Sequence, residues 1–344
     1  MTSRNDTARK LSPWKVVLPT VLGFGMVGFF IYRDFHKIDF TVFEFSYYSV
    51  LFIGLAFLMM FFRDFGYVLR LRILSSGELT WRKCIRIVLL WEFGSAVTPS
   101  AIGGTALATV FIWKEGVHIG KSTSIVVATS FLDELYFSLM FPLVLFLFSK
   151  AEIFHVLGSA ELAHRFFVFA MIGFGMKFSW AMLMGYSIFI NPKFFASLIS
   201  GIFKWKLLKR WKNGAEEMAK NFETSNREFK TKSFKFWLKA FLTSFLSWTS
   251  RYWVLNFLLL ALYYSLKFDV YAHFMSLQDH FLIFAKQLVM WIMMLVMPTP
   301  GGSGFVETIF NSYMAEFVPV AGFVFVMALI WRLVTYYPYL FIGS

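Results

Sequence analysis

The chain has 344 residues, 58% of them hydrophobic, 21% aromatic and only 15% charged. A soluble domain carries about 45–50% apolar and about 25% charged residues, so this composition excludes an ordinary soluble enzyme. The net charge of +13 does not point to nucleic acid in so apolar a chain, because the positive charges are sorted by position.

Apolar stretches of about 18 or more residues with few charges read as transmembrane helices. The basic segment Met1 to Lys15 runs into an apolar stretch without a small-residue cleavage site. Residues 14–31 therefore read as a first permanent span rather than a signal peptide. Further spans are predicted at 44–62, 122–148, 166–190, 234–265 and 316–342. Two shorter segments, 87–97 and 281–297, each end in a Pro/Gly cluster, and short segments 105–113 and 303–315 follow them. An eleven-residue helix rises about 16 Å, roughly half the hydrocarbon thickness. Each pair reads as a re-entrant helical hairpin, whose irregular backbone is tolerated where it is buried or lines a cavity. The fold class expected is an all-α polytopic membrane protein, with six transmembrane helices and two re-entrant hairpins in an inverted-topology repeat.

Orientation follows the Lys/Arg count. Twenty-three of the 33 basic residues fall in the N-terminal segment, in 63–86, at Lys114 and Lys121, or in 191–235. The opposite loops carry only Arg33, Lys37, Lys150, Arg165 and Lys267. The N-terminus is therefore expected in the cytoplasm of a bacterial inner membrane. The 191–235 stretch interleaves Lys204, Lys206, Lys209, Arg210 and Lys212 with Trp205 and Trp211. That pattern suits either an amphipathic helix on anionic headgroups or a solvated linker. Cys84 is the single cysteine, so no intramolecular disulfide can form, and its basic neighbours place it on a cytoplasmic loop as an inert thiol.

The hairpins turn at Thr98-Pro99-Ser100-Ala101-Ile102-Gly103-Gly104 and at Pro298-Thr299-Pro300-Gly301-Gly302-Ser303-Gly304. Pro99 precedes Asp133 by 34 residues, and Pro298 precedes Arg332 by the same 34. A unit of span, hairpin and span is thus used twice, in opposite orientation, the design that puts a transport site between two halves. The predicted organisation is 1–43 (tail, first span and external loop), 44–190 (first repeat and a following span), 191–233 (basic linker) and 234–344 (second repeat).

Pro/Gly clusters end helices sharply, and a restarted helix presents free N–H groups to an anion. The candidate groups are Thr98, Pro99, Gly103 and Gly104 in the first turn, with Pro298, Pro300, Gly301, Gly302 and Ser303 in the second. Neither turn has the Gly-Lys-Ser/Thr ending of a phosphate loop. Charges inside the membrane cost at least about 2.5–3.5 kcal/mol each and usually pair. Those here are Glu92, Asp133, Glu134, Lys177, Lys239, Arg251, Lys286, Glu307 and Arg332. Asp133 and Arg332 are expected to approach each other or share a cavity. Arg251 and Lys286 are cationic candidates for a lipid phosphate, while Lys177 and Lys239 are expected to snorkel. Arg63 and Arg70, seven apart, read as headgroup-access residues at the cytoplasmic mouth or as topology signals. His36, His118, His155, His164, His273 and His280 are scattered, and no nucleophile elbow or nucleotide signature appears. No enzyme, metal or cofactor is expected.

The element Pro298-Thr299-Pro300-Gly301-Gly302-Ser303-Gly304-Phe305-Val306-Glu307 resembles the Pro-Gly-Gly-x-Gly-x-x-Glu element of the lysylphosphatidylglycerol synthetase transmembrane region, or flippase-like domain family. The Thr98-Pro99 and Gly103-Gly104 turn, the Lys114-Glu115-Gly116 loop and Arg332 also match its pattern, over roughly 40–342. The resemblance implies translocation of a phospholipid or other phosphate-bearing lipid between leaflets. Larger relatives carry a soluble domain that attaches amino acids to phosphatidylglycerol. Here the sequence ends with the last span, so that activity is outside the expectation. The Leu132-Asp133-Glu134 doublet departs from the pattern and leaves the charge of the lipid open. The expected partners are membrane lipids and no nucleic acid, with a homo-oligomer and a separate lipid-modifying enzyme left open. The rival reading is a secondary transporter of a small polar solute or ion.

Overall fold

The computed structural model describes residues 25, 28, 29, 32, 33, 39–97, 101–155, 160–202, 222, 223, 226–267, 275–294, 305–320 and 322–342. The 14–31 span falls largely outside them, as do the Trp/Lys stretch 203–221 and both turn clusters before Ala101 and before Phe305. The described residues are helical apart from turns, short 3-10 segments and one isolated bridge.

Four long helices form the body: α1 (Tyr47–Leu74), α4 (Ile119–Leu147), α6 (Ala160–Phe189) and α8 (Phe234–Tyr263). The segments read as hairpin arms from the sequence are the helices α2 (Trp81–Val97), α3 (Ala101–Lys114), α9 (Leu277–Met294) and α10 (Phe305–Met314). Short helices α5 (Lys150–Ile153) and α7 (Pro192–Ile202) connect them, and α11 (Val324–Thr335) and α12 (Tyr337–Ile342) finish the chain. By length and apolar composition α1, α4 and α6 can each cross a membrane, so this is a multi-pass membrane protein. Serine side chains cap two long helices. Ser46 accepts from Ser49 N at the start of α1, and Ser233 from Phe236 N at the start of α8. Each cap satisfies an orphan backbone donor.

Several boundaries differ from the sequence reading. The second span continues past residue 62 to Leu74, so Arg63 and Arg70 are helical rather than in a loop. The first arms of the hairpins begin earlier, at Trp81 and Leu277. Their polar first turns lower the hydropathy without stopping the helix. The last predicted span, 316–342, is broken: 3-10 residues Ala315–Phe317 precede α11, and a turn at Tyr336 precedes α12. Pro338 sits in the first turn of α12, where its missing N–H costs nothing.

Contacts sort the connections into two ends. At one end Lys121 bridges Glu78 and Glu228, Lys83 Nζ donates to Glu115 O at 2.6 Å, and Lys230 Nζ donates to Ile190 O at 2.9 Å. At the other, Glu44 N donates to Ser265 O at 2.7 Å, Gln278 reaches Glu152, and His155 meets Glu316. Both ends of the α2–α3 segment lie at the first end of the bundle. Residues 276–278 and Glu316, which bound the α9–α10 segment, lie at the second.

Helices α1 and α8 pack antiparallel. Phe43 bridges Leu266, Phe52 stacks on Phe257 with ring centroids 6.3 Å apart, and Ser247 Oγ donates to Arg63 O at 2.9 Å. A Cβ on Gly66 would lie 2.2 Å from Ser247 Oγ and 2.8 Å from Thr243 O. Only glycine permits that approach. Gly104 plays the same part between α3 and α2, where a Cβ would lie 2.9 Å from Ser95 Cα. The apolar core runs through α4, α8, α9 and α10, with Phe141, Leu255, Val289 and Phe310 fully buried.

Candidate functional site

The charges inside the helices converge on α1. Arg63 is fully buried and pairs with Glu92 on α2. Its Nη1 donates to Asp64 Oδ1 at 2.9 Å and to Tyr339 Oη at 2.7 Å. Tyr339, on α12, in turn donates to Asp64 at 2.7 Å. Two turns further, Arg70 pairs with Asp133 on α4 and donates to Ser244 Oγ on α8 at 2.8 Å. Trp248 Nε1 donates to the same Asp133 oxygen at 2.7 Å. The Tyr67 ring lies between the two guanidinium groups, 5.1 Å from Arg63 Cζ and 4.9 Å from Arg70 Cζ. Residues 63, 67 and 70 share one helix face by their i, i+4, i+7 spacing, so α1 presents a cationic stripe with an aromatic spacer.

Arg251 completes the cluster. Its guanidinium lies over the Trp291 ring at 4.4 Å and the Trp248 ring at 5.6 Å. It is half-buried and has no carboxylate partner among the described residues. The network therefore holds three arginines, at 63, 70 and 251, against three carboxylates, Asp64, Glu92 and Asp133.

Depth follows from helix geometry. Arg63 and Glu92 are each eleven residues from the α1–α2 turn, measured to Leu74 and from Trp81. At 1.5 Å per residue that is about 17 Å, near the middle of a hydrocarbon layer about 30 Å thick. Charges at that depth need partners, and the network supplies them. Exposure is unequal within the pairs. The side chains of Arg63 and Arg70 are 0% and 6% exposed, while Asp64, Glu92 and Asp133 keep 29%, 22% and 22%. The paired arginines are sealed, and Arg251 is the cation that stays accessible.

Two further buried pairs lie outside this network. Lys177 Nζ on α6 donates to both oxygens of Glu134 at 2.9 and 2.8 Å and lies 4.2 Å from the Phe137 ring centre. Lys286 pairs with Glu316 and donates to His155 O at 3.1 Å.

The structure thus joins Glu92, Asp133, Arg251, Arg63 and Arg70 in one cluster and separates others from it. Arg63 and Arg70 sit inside the bundle rather than at its mouth, because α1 continues to Leu74. Asp133 takes Arg70 as its ion partner, where Arg332 was expected. Arg332 is buried on α11 over the Tyr336 ring at 4.7 Å. Lys177 is buried and paired, not snorkelling, because Glu134 faces it. Lys286 is engaged with Glu316 instead of standing beside Arg251. Lys239 is exposed on α8. Gly103 and Gly104 lie in the first turn of α3. Glu307 lies on α10, its side chain outside the described set, and Thr98, Pro99, Pro298, Pro300, Gly301, Gly302 and Ser303 lie outside the described residues. Sequence reasoning missed Asp64, Tyr67, Trp248, Glu316 and Tyr339. For Asp64 and Tyr67 a signal existed in the spacing around Arg63.

Among the described residues no three His, Cys, Asp or Glu side chains are grouped to hold a metal ion. A family model described as "Lysylphosphatidylglycerol synthase TM region" matches residues 16–343. A relative from the archaeon Archaeoglobus fulgidus, described as a UPF0104 membrane protein, is 26% identical over 294 residues. The match covers 81% of this chain and 80% of that protein.

Proposed function

Because the chain belongs to the lysylphosphatidylglycerol synthase transmembrane family, we propose that it moves a phosphate-bearing lipid between membrane leaflets. The observation that carries the proposal is the charge-balanced network between α1, α2, α4, α8 and α12. A headgroup crossing the bilayer needs polar contacts where lipid supplies none. Arg251, accessible and flanked by Trp248 and Trp291, is the group that meets the phosphate. Its fork of N–H donors suits phosphate oxygens. The part-exposed oxygens of Asp64, Glu92 and Asp133 balance that charge and solvate the rest of the headgroup. The acyl chains stay in the bilayer. On this reading the α2–α3 and α9–α10 segments dip into the membrane from opposite faces and return, the first from the cytoplasm. The protein acts without a cofactor and is not an enzyme.

The antiparallel contact of α1 with α8 supports the inverted repeat, since these are the leading helices of the two units. A second reading, transport of a small polar solute or ion, draws on the part-exposed carboxylates, which suit a cation or a proton. Substituting Arg251→Gln tests the phosphate contact. In proteoliposomes it is expected to slow transbilayer movement of a headgroup-labelled phospholipid about tenfold or more, as expected for loss of a charged hydrogen-bond donor, with the thermal midpoint unchanged. Unaltered lipid movement with retained folding would remove Arg251 from the proposal.

A further inference from the structure

Each hairpin carries an ion pair between its first arm and the residues that follow its second arm, and the two pairs occupy matching positions along the chain. In the first, Arg86 Nη1 on α2 meets Glu115 Oε1 at 3.0 Å, immediately past the end of α3. Lys83 Nζ donates to the carbonyl of the same Glu115. In the second, Lys286 on α9 pairs with Glu316, two residues past the end of α10. Arg86 and Lys286 are 200 residues apart, Glu115 and Glu316 are 201 apart, and the hairpin prolines Pro99 and Pro298 are 199 apart. In both units a cation on the first arm meets an acid that follows the second arm. The pairs sit at opposite ends of the bundle. Glu115 lies with Lys83 and the α1–α2 turn, whereas Glu316 meets His155 Nδ1 at 3.0 Å, beyond the far end of α4.

Their settings differ. The Arg86 side chain is 69% exposed and that of Glu115 16%, so the difference between the pairs lies in the cation, and a pair with a solvated cation contributes little. Lys286 is 0% exposed, bonds also to His155 O, and lies 5.5 Å from the ring centres of Tyr313 and Phe317. Glu316 keeps 28% of its side chain exposed, so the resistance to opening comes from Lys286, whose charge would be stranded away from water if the pair separated.

We propose that the Arg86–Glu115 and Lys286–Glu316 pairs are symmetry-related clamps on the two hairpins, the first opening freely and the second locked. The proposal rests on the lipid-translocation reading, in which each hairpin gives way on its own face, and it makes release of Lys286–Glu316 the gating step.

Hydrogen exchange of the protein in lipid nanodiscs tests the clamps without reference to transport. Replacing both ions of the buried pair by apolar side chains, Lys286→Met with Glu316→Met, keeps the volume and strands no charge. Exchange in 305–317 is expected to rise about tenfold or more as that local unit opens, while 101–115 is unchanged. Glu115→Gln is expected to alter 101–115 by less than about threefold, the scale of an exposed pair. The swap Lys286→Glu with Glu316→Lys re-forms the pair and is expected to retain wild-type protection of 305–317. Wild-type exchange in the folded double-methionine protein, or rapid exchange in the folded swap, would overturn the clamp. In proteoliposomes the double-methionine protein is expected to move lipid at least about threefold faster, as for a released gate. An unchanged rate beside loosened 305–317 would overturn the gating role. A wild-type protein that moves no lipid would count against the transport reading alone, since the exchange data judge the clamps separately.

Discussion

Arg63 carries more interactions than any other charged residue of the network. It is fully buried, paired with Asp64 and Glu92, bonded to Tyr339 and stacked near Tyr67. Arg63→Ala would leave two carboxylates facing each other at mid-depth. Breaking one side of a buried pair costs about 3–5 kcal/mol, so this variant is expected to lose that much stability in denaturant unfolding of the detergent-solubilised protein. Glu92→Gln keeps a polar partner for Arg63 and is expected to lose less. Equal stability of Arg63→Ala and wild type would show that the network does not hold the bundle. The candidate acids Glu92, Asp133 and Glu134 were legible in the sequence because a charge in an apolar run is costly. Their partners were not. Arg63 and Glu92 are 29 residues apart, Arg70 and Asp133 are 63 apart, and Asp133 and Trp248 are 115 apart. Such pairing is set by tertiary packing, which no local pattern records.

At the scale of elements, the α1–α8 contact is the sharpest constraint. Ser247 Oγ bonds both Arg63 O and Thr243 O, so it has little freedom to move away from residue 66. Gly66→Ala is therefore expected to push the two helices apart and to cost about 1–3 kcal/mol, the range for overpacking, read from the same unfolding curves. A neutral result would show that the helices separate easily. At the basic end, Glu228 ties together the α1–α2 turn, the start of α4 and the segment before α8 through Lys121, Lys232 and Ser76. Burial alone would raise its carboxyl pKa, but the Lys121 and Lys232 ammonium groups hold it below the ordinary value. A carboxyl lowered in the folded state stabilises it above its unfolded pKa of about 4.3, and the effect disappears as pH falls through the lowered value. The thermal midpoint is thus expected to fall more steeply below about pH 4.5 in wild type than in Glu228→Gln. Parallel curves would mean that the tie contributes nothing. Element existence was legible from hydropathy and from the Pro/Gly breaks. The ends were not, because hydropathy stops at Arg63 while the helix continues with buried, paired arginines. It also reads through Tyr336, where α11 gives way to α12.

For the whole molecule, the antiparallel α1–α8 pair and the matching ion pairs on α2 and α9 support the proposed inverted repeat. Among the described residues Lys121, Lys83 and Lys230 make their contacts at one end of the bundle. Arg63, Arg70 and Arg251 instead lie between the helices with Asp64, Glu92 and Asp133. The central claim is that this set lets a lipid headgroup cross. It is tested most directly in liposomes carrying a fluorescent phospholipid in both leaflets, with a membrane-impermeant reductant added outside. Purified wild-type protein is expected to let the reductant bleach nearly all of the fluorescence, with Arg251→Gln slowing the second phase. Bleaching that stops at about the outer-leaflet half, as in protein-free vesicles with two equal leaflets and no spanning polar path, would contradict it.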